Sequence, residues 1–432
     1  MAGNKDISEI YMKSSPSSVK AAAKLLQLAG DNIVTWRTLS ISSKELHLDY
    51  TLPTGQSFRW RRTGDIEYTG VIGNRVVKLR QDEDEVLYQV LARGEEEIEC
   101  NSNDESIIRE YFNLSPSTPE IPSSLSRCDS SPTTFSQLSE YWAARDQRFA
   151  AVRTYFPGAR MLRQDPLECL FSFICSSNNN ISRIHSMVEK LCSTYGTPLL
   201  LSASSDHGKR DLDAQADSSP HTPLHSDDQD VTQDRQAPLS FYAFPNLDQL
   251  AVATEEELRN AGFGYRAKFI TGSVQALRER PERGREWLLS LRDVPYEEAA
   301  AALCTLPGIG PKVAACVSLF SLDKHNAIPV DTHVWDIATK YYMPGLKGKS
   351  LTKNVHEQIQ KVFEDRFGPF CGWAHNTLFM SELASQRQRL PEKLGGTTNA
   401  LSTKAPAVVA KKQQPSVKRR KIKQPEFFDD LN

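Results

Sequence analysis

Apolar and polar side chains alternate along the first third of the chain. Leu46, Leu48, Tyr50 and Leu52 are spaced by two, and after Thr54-Gly55 the alternation resumes through Ser57-Phe58-Arg59-Trp60-Arg61. This pattern predicts two strands paired around a tight turn. Further short strands are expected at Tyr68–Ile72, Val76–Leu79 and Glu85–Leu91. Together they predict an antiparallel sheet domain over residues 34–150, with one or two helices.

Beyond residue 150 the apolar spacing becomes helical. Asp165-Pro166 opens a helix, with Asp as cap and Pro in the first turn, and Leu167–Cys175 forms its apolar body. It breaks at Ser176-Ser177-Asn178-Asn179-Asn180, and Ile181, Ile184, Val188 and Leu191 start another. Helices are expected again at Thr254–Ala261, Glu297–Cys304, Val313–Leu322, Asn354–Phe367 and Gly372–Ala384. The fold class is therefore α+β: an antiparallel sheet domain followed by an all-α domain over residues 151–390.

Three segments fit neither period. Residues 1–33 are rich in Ser and Lys, and Ser14–Leu28 could form an amphipathic helix of a mitochondrial presequence, although no Arg precedes Arg37. Residues 201–240 carry many Ser, Asp and Gln and few large apolar side chains, so they are expected to be a disordered insertion. Residues 391–432 form a basic tail, whose Lys411-Lys412 and Lys418–Lys423 resemble a bipartite nuclear localisation signal.

Charge adds information only when taken locally. The net charge of the 432 residues is −2, but the insertion from Leu201 to Ser240 carries −5 and Ala400 to Asn432 carries +5. These cancel, so any nucleic-acid footprint has to be a local patch. The eight cysteines show no C-x-x-C spacing, and reduced thiols in an intracellular compartment are expected. No run approaches the roughly 18 apolar residues of a membrane helix.

The chemistry gathers in Cys304–Ile337. Leu306-Pro307-Gly308-Ile309-Gly310 is too rich in Pro and Gly to be helical, so it joins two helices in a hairpin. Gly308 and Gly310 leave backbone N–H groups uncovered, and Pro311 suits the first helical position, so a phosphate could rest on that helix N-terminus. Lys312 follows in the first turn, where the positive end of the helix dipole favours the free amine, a nucleophile. Cys316 lies one turn on, and Asp331 follows at the start of another helix. Each residue also has a plainer reading: a structural turn, a surface lysine, and an N-cap for Asp331. Gly55 could be an ordinary hairpin glycine, and Phe379 an ordinary core aromatic. Asn178 could belong to a helix break or act as a polar wedge. Tyr265 and Arg266 follow a Gly262/Gly264 hinge and could enter an opened duplex or sit on the surface.

The segments T-G-Q-S-F-R-W, R-Q-D-P-L-E-C-L-F-S-F-I-C-S-S-N-N-N-I, G-F-G-Y-R-A-K, L-P-G-I-G-P-K-V-A, P-V-D-T-H-V-W and G-W-A-H-N-T-L-F occur in this order. They resemble the eukaryotic 8-oxoguanine DNA glycosylases and abasic-site lyases of the helix-hairpin-helix superfamily. The resemblance implies a sheet domain like half of a TATA-binding protein on a helical glycosylase core, with no cofactor. It implies base excision by Lys312 through a Schiff base, then β-elimination, with Asp331 stabilising the developing positive sugar. Cys316 and Phe379 would sandwich the flipped base, and the Gly55 carbonyl would accept the N7–H that guanine lacks. Asn178, Arg183 and Arg266 would hold the widowed cytosine, with Tyr265 wedged beside them and His333 near a phosphate. The carbonyls of Cys304, Leu306 and Ile309 would hold a structural ion. Implied partners are duplex DNA with 8-oxoguanine opposite cytosine and a downstream abasic-site endonuclease, for a monomer in the nucleus with a mitochondrial form as second address. One departure stands out. His375 occupies a position where the family usually has glutamine, so lesion binding is expected to be weaker or differently dependent on pH. Two rivals are a non-catalytic helix-hairpin-helix DNA-binding protein and a glycosylase of the same superfamily for another damaged base. Lys312 and Asp331 argue against the first; for the second, no Cys follows Cys371 to complete the iron–sulfur cluster that many such enzymes carry.

Overall fold

The computed structural model describes residues 35–94, 103–114, 134–201 and 240–396. The expected presequence helix, acidic insertion and basic tail lie outside these residues, save for the insertion's two ends, Leu201 and Ser240, and the start of the tail, 391–396, which is ordered through a 3-10 turn at Glu392–Leu394 whose Leu394 carbonyl accepts from Arg148.

Five antiparallel strands form the first body: β1 (Arg37–Thr38), β2 (Trp60–Arg62), β3 (Glu67–Ile72), β4 (Arg75–Gln81) and β5 (Val86–Arg93), in the order β1-β5-β4-β3-β2. The β3–β4 hairpin turns at Gly73-Asn74 with Ile72 opposite Arg75. Tyr68, Leu79 and Tyr88 line up across it and bury one face against Leu46, Leu48, Phe112 and Leu162. Helix α1 (Asp104–Tyr111) covers that face.

Leu46–Leu52 is not a strand, contrary to its alternation. Leu48–Tyr50 forms a 3-10 turn and residues 51–56 continue as turns, so β2 begins only at Trp60. The backbone donors explain this. His47 N–H donates to the Gly158 carbonyl (2.9 Å), Leu48 N–H to Gln81 Oε1 (2.9 Å), and Thr51 and Leu52 N–H to the Leu48 carbonyl, which leaves no ladder to join. The apolar residues are buried all the same, because a tight coil with alternate inward side chains meets the same pattern.

The second body is helical: α2 (Phe135–Arg145), α3 (Pro166–Ile174), α4 (Ile181–Tyr195), α5 (Arg266–Arg278), α6 (Tyr296–Leu303), α7 (Pro311–Ser321), α8 (Thr332–Ile337), α9 (Lys353–Phe367) and α10 (Cys371–Glu382), with shorter helices between them. One continuous core runs through it from Trp142 and Phe149 to Phe363 and Trp373. Asp165 caps α3 through the N–H groups of Leu167 and Glu168, and Asn180 caps α4 through Arg183 N–H (2.8 Å). The helix expected over Thr254–Ala261 is α-helical only at Glu255–Leu258. It then widens through Arg259–Phe263, where Gly262 has φ 94°. Among the described residues no helix is long and apolar enough to cross a membrane.

The two bodies meet at Gln56. Its Nε2 donates to the Arg160 carbonyl (3.1 Å), its Oε1 accepts Leu162 N–H (3.0 Å), and its own carbonyl accepts Gln164 Nε2 (2.7 Å). Arg160, itself buried, ties back to the Phe112 and Asn113 carbonyls (2.8 and 2.7 Å). The turn carrying Gly55 is thereby anchored to the helical body.

Candidate active site

The hairpin forms as its residue types dictate. Helix α6 ends at Leu303, Gly310 is the N-cap of α7, and Pro311 takes the first helical position. Its two glycines differ in purpose. Gly308 has φ 78°, and a Cβ there would lie 2.4 Å from Phe269 Cγ, so it is required both by backbone conformation and by packing on α5. Gly310 faces open space, which leaves the first amides of α7 uncovered. The Leu306 carbonyl accepts Ile309 N–H (3.2 Å). A carbonyl has two acceptor sites, and three oxygen donors suit a hard cation, so Cys304, Leu306 and Ile309 remain chemically compatible with the expected ion.

Lys312 is half-buried at the start of α7. Its Nζ donates to Ser176 Oγ (3.2 Å) and stands 5.5 Å from the centre of the Phe173 ring. Both partners come from the end of α3, against which α7 packs. Cys316 is one turn further along and buried. Burial pushes its thiol up to about 11 against the pull of the Lys312 charge, so at neutral pH it is an uncharged thiol wall.

Asp331 does what its plainer reading required: it caps α8 by accepting Val334 N–H (2.9 Å). Its charge also reaches Cys316 and His375, raising the proton affinity of each. His375 lies in α10, only 5% exposed, with neither ring nitrogen in a hydrogen bond of good geometry. Burial lowers it from 6.5 to about 4, despite the opposing pulls of Asp331 and the Gly372 carbonyl, so the ring is neutral. Phe379 follows one turn on, its ring 6.1 Å from that of His375 and edge-on to His333 at 5.5 Å. Lys312, Cys316, Asp331, His333, His375 and Phe379 thus form one continuous group of neighbours on α7, α8 and α10.

The remaining expected residues gather around Ser176–Asn180. Asn178 is exposed with φ 46°, a left-handed conformation that asparagine tolerates. Tyr265 Oη donates to the Ser177 carbonyl (2.9 Å), and Arg266 donates to the Ser177 and Asn178 carbonyls, the latter at 3.1 Å. The Arg266 guanidinium also lies 4.6 Å from the Tyr265 ring. Arg266 is only 3% exposed, so its guanidinium holds the loop and faces little solvent. Arg183 reaches the Gly262 carbonyl at 3.5 Å. Gly55 has φ 84°, and a Cβ there would lie 3.3 Å from Ile181 Cδ1, which places it beside the start of α4.

Sequence reasoning passed over Ser176 and Phe173 as members of the site. They stand 136 and more residues from Lys312, and only the packing of α7 on α3 reveals the contact. The run C-S-S-N-N-N was the available signal, and it had been read for its asparagines.

Comparison with known proteins bears on the same region. A family model described as the N-terminal domain of 8-oxoguanine DNA glycosylase matches residues 38–170, and the HhH-GPD superfamily of base excision DNA repair proteins matches 171–365. The N-glycosylase/DNA lyase OGG1 of Arabidopsis thaliana is 43% identical over 360 residues, covering 82% of each chain. The N-glycosylase/DNA lyase of Saccharomyces cerevisiae is 30% identical over 398 residues, covering 84% of this chain and 88% of its own. Among solved structures, the fold is similar to that of Clostridium acetobutylicum 8-oxoguanine glycosylase/lyase in complex with duplex DNA containing cytosine opposite 8-oxoguanine. That likeness has a TM-score of 0.56 at 23% identity and covers 80% of this chain and 96% of that one. It is also similar to 3-methyladenine DNA glycosylase of Archaeoglobus fulgidus, with a TM-score of 0.51 at 16% identity, 80% of this chain and 97% of that one.

Proposed function

Because the chain belongs to the 8-oxoguanine DNA glycosylase family of the helix-hairpin-helix superfamily, we propose that Lys312 is the nucleophile of its N-glycosylase and DNA lyase activities. The substrate in this reading is 8-oxoguanine opposite cytosine in duplex DNA.

The chemistry follows from the geometry. A nucleotide has to leave the stack before its C1′ can be reached, and the cleft between Cys316 and Phe379 offers a thiol face and an aromatic face to a planar base. The Lys312 lone pair forms a bond to C1′ as the glycosidic bond breaks, its electron pair leaving on the base. Nitrogen gives up one proton to the departing base anion; its lone pair then expels ring O4′, which takes up a proton, leaving the protonated Schiff base. A base removes a C2′ proton, the C2′–H pair forms a C2′=C3′ bond, and the C3′–O bond breaks with its pair on the phosphate, which cuts the strand. Asp331, fixed by its capping bond, faces the positive charge that develops on the sugar.

Recognition is dispersed. The Gly55 carbonyl accepts N7–H of the oxidised base; with guanine that acceptor goes unmatched, a difference on the order of 1–3 kcal/mol. His375 offers the base edge one donor and one acceptor from a neutral ring. Asn178, Arg183 and Arg266 receive the widowed cytosine with Tyr265 beside it, and Arg266 exchanges a loop carbonyl for the base when it does so. The α7 N-terminus at Gly308–Gly310 binds a backbone phosphate, His333 lies near another, and the hairpin carbonyls hold an ion that steadies the turn. The protein acts as a monomer and hands its product to an abasic-site endonuclease. The basic tail directs it to the nucleus, with a mitochondrial form as a second address.

One observation carries this reading: half-buried Lys312 donates to the Ser176 hydroxyl and stands against the Phe173 ring beside the uncharged Cys316 thiol. Borohydride trapping on a duplex with 8-oxoguanine opposite cytosine tests it. A covalent adduct is expected with the intact protein, and none with Lys312→Gln or on an undamaged guanine duplex. No adduct with the intact protein would sink the mechanism.

A further inference from the structure

We infer that Ser176 is the positioning residue that aims Lys312, an inference that rests on Lys312 being the nucleophile.

A serine at the end of a helix that donates to a carbonyl three residues back is a common local cap, and Ser176 does donate to the Phe173 carbonyl (2.7 Å). That bond has a consequence at the cleft. A hydroxyl has a single proton, so toward Lys312 its oxygen can only accept, and the 3.2 Å contact is Nζ donating to Oγ. The acceptor is also rigidly placed. Phe173 belongs to α3, of which every residue is buried. The holder is therefore fixed from the α3 side, whereas the lysine stem it restrains has four rotatable bonds.

Direction is what such a holder supplies. An amine that donates one N–H to Oγ keeps its lone pair at the tetrahedral angle from that bond, turned away from α3. The Cys316 thiol also takes a hydrogen bond from Lys312, but sulfur is the weaker acceptor, and Phe173 presents its ring at 5.5 Å, so the Ser176 oxygen is the stronger hold on that angle. A carboxylate in place of the hydroxyl would fix the angle but favour the charged ammonium strongly. A neutral oxygen orients the amine with less opposition to proton loss. Correct alignment of reacting groups is worth large factors in rate, so Ser176 acts on the chemical step and leaves DNA binding almost untouched.

The test uses the full chain in single-turnover borohydride trapping at saturating enzyme, on a duplex with 8-oxoguanine opposite cytosine. Affinity for a duplex carrying a tetrahydrofuran abasic analogue is measured in parallel. S176A is expected to slow trapping at saturation about tenfold, with affinity within about twofold of the parent. S176T keeps the hydroxyl and is expected to trap within about threefold of the parent. An undiminished rate in S176A overturns the inference. So does a loss of rate matched by an equal loss of affinity, or an S176T as slow as S176A. Should S176A fail to fold, S176C, similar in size but a weaker acceptor, goes through the same comparison with the same readings. Absence of adduct from the parent protein would remove the nucleophile assignment and this inference together. An adduct that S176A and S176C leave unchanged removes this inference alone.

Discussion

The cleft of Lys312 and the loop of Asn178 adjoin through Ser176, yet they are built on opposite terms. The cleft residues sit on helices whose caps and burial hold them: Asp331 by its bond to Val334 N–H, Cys316 and His375 by a closed core. The loop is held by Tyr265 and Arg266 on its own carbonyls, with Asn178 exposed at positive φ and a glycine hinge alongside. On the proposed reading those contacts compete with DNA, and the difference separates two tasks: the Lys312 group is organised before substrate arrives, and the loop reorganises as it reads the opposite strand.

Variants on each side should divide accordingly. Lys312→Gln should abolish both the trapped adduct and strand cleavage while retaining duplex affinity; a residual adduct would show that another amine attacks. Gly308→Ala should cost about 2–4 kcal/mol of stability, since it forces positive φ on alanine and drives a Cβ into Phe269. A denaturant titration reads this, and an unchanged midpoint would mean that α5 can yield. Arg266→Ala strips the Asn178 carbonyl of its donor and leaves the Ser177 carbonyl to Tyr265 alone, and should weaken binding of a cytosine-paired lesion by about 1–3 kcal/mol, with trapping at saturation nearly intact. If the loss instead appears at saturation, loop and cleft are not separable.

A smaller effect concerns pH. His375 is neutral in the fold and falls from 6.5 to about 4, so below 6.5 the unfolded chain binds a proton that the folded chain does not. Stability is therefore complete above pH 6.5 and lost as pH drops toward 4, by up to about 1.4 kcal/mol per pH unit. His375→Gln should flatten that slope, and lesion affinity in the parent should stay level across neutral pH and weaken only near pH 4. His325, lowered to about 4 by burial while accepting Trp373 N–H (3.1 Å), leaves a second acid-sensitive contribution in place. The least effect belongs to Gly310→Ala. With open space around it, stability should move by no more than about 0.5 kcal/mol, and any change should appear in the salt dependence of DNA binding.

Much of this was legible from residue patterns. The hairpin, the cap at Asp165 and strands β3–β5 follow from local chemistry that acts within a few residues. Alternation at Leu46–Leu52 misled because period two reports which side chains point inward, and it does not report where the backbone donors go. For Arg266 the sequence leaves open an opened duplex or the surface, and only tertiary packing buries it against two carbonyls. Ser176 was hidden for the related reason that a serine's acceptor capacity becomes meaningful only when a donor is brought to it from across the fold.

If the Gly55 carbonyl reads the base as proposed, the seam at Gln56 gives the enzyme a fidelity limit distinct from its activity limit. The turn bearing Gly55 is held in place by three hydrogen bonds to the helical body, whereas Lys312 and its neighbours lie wholly within that body. On warming, slippage along the seam would blur the distinction between damaged and intact guanine before the capacity to open an abasic site declined. The temperature at which selectivity is lost should therefore lie below the temperature at which lyase activity is lost, a gap that two assays along one heating series would measure.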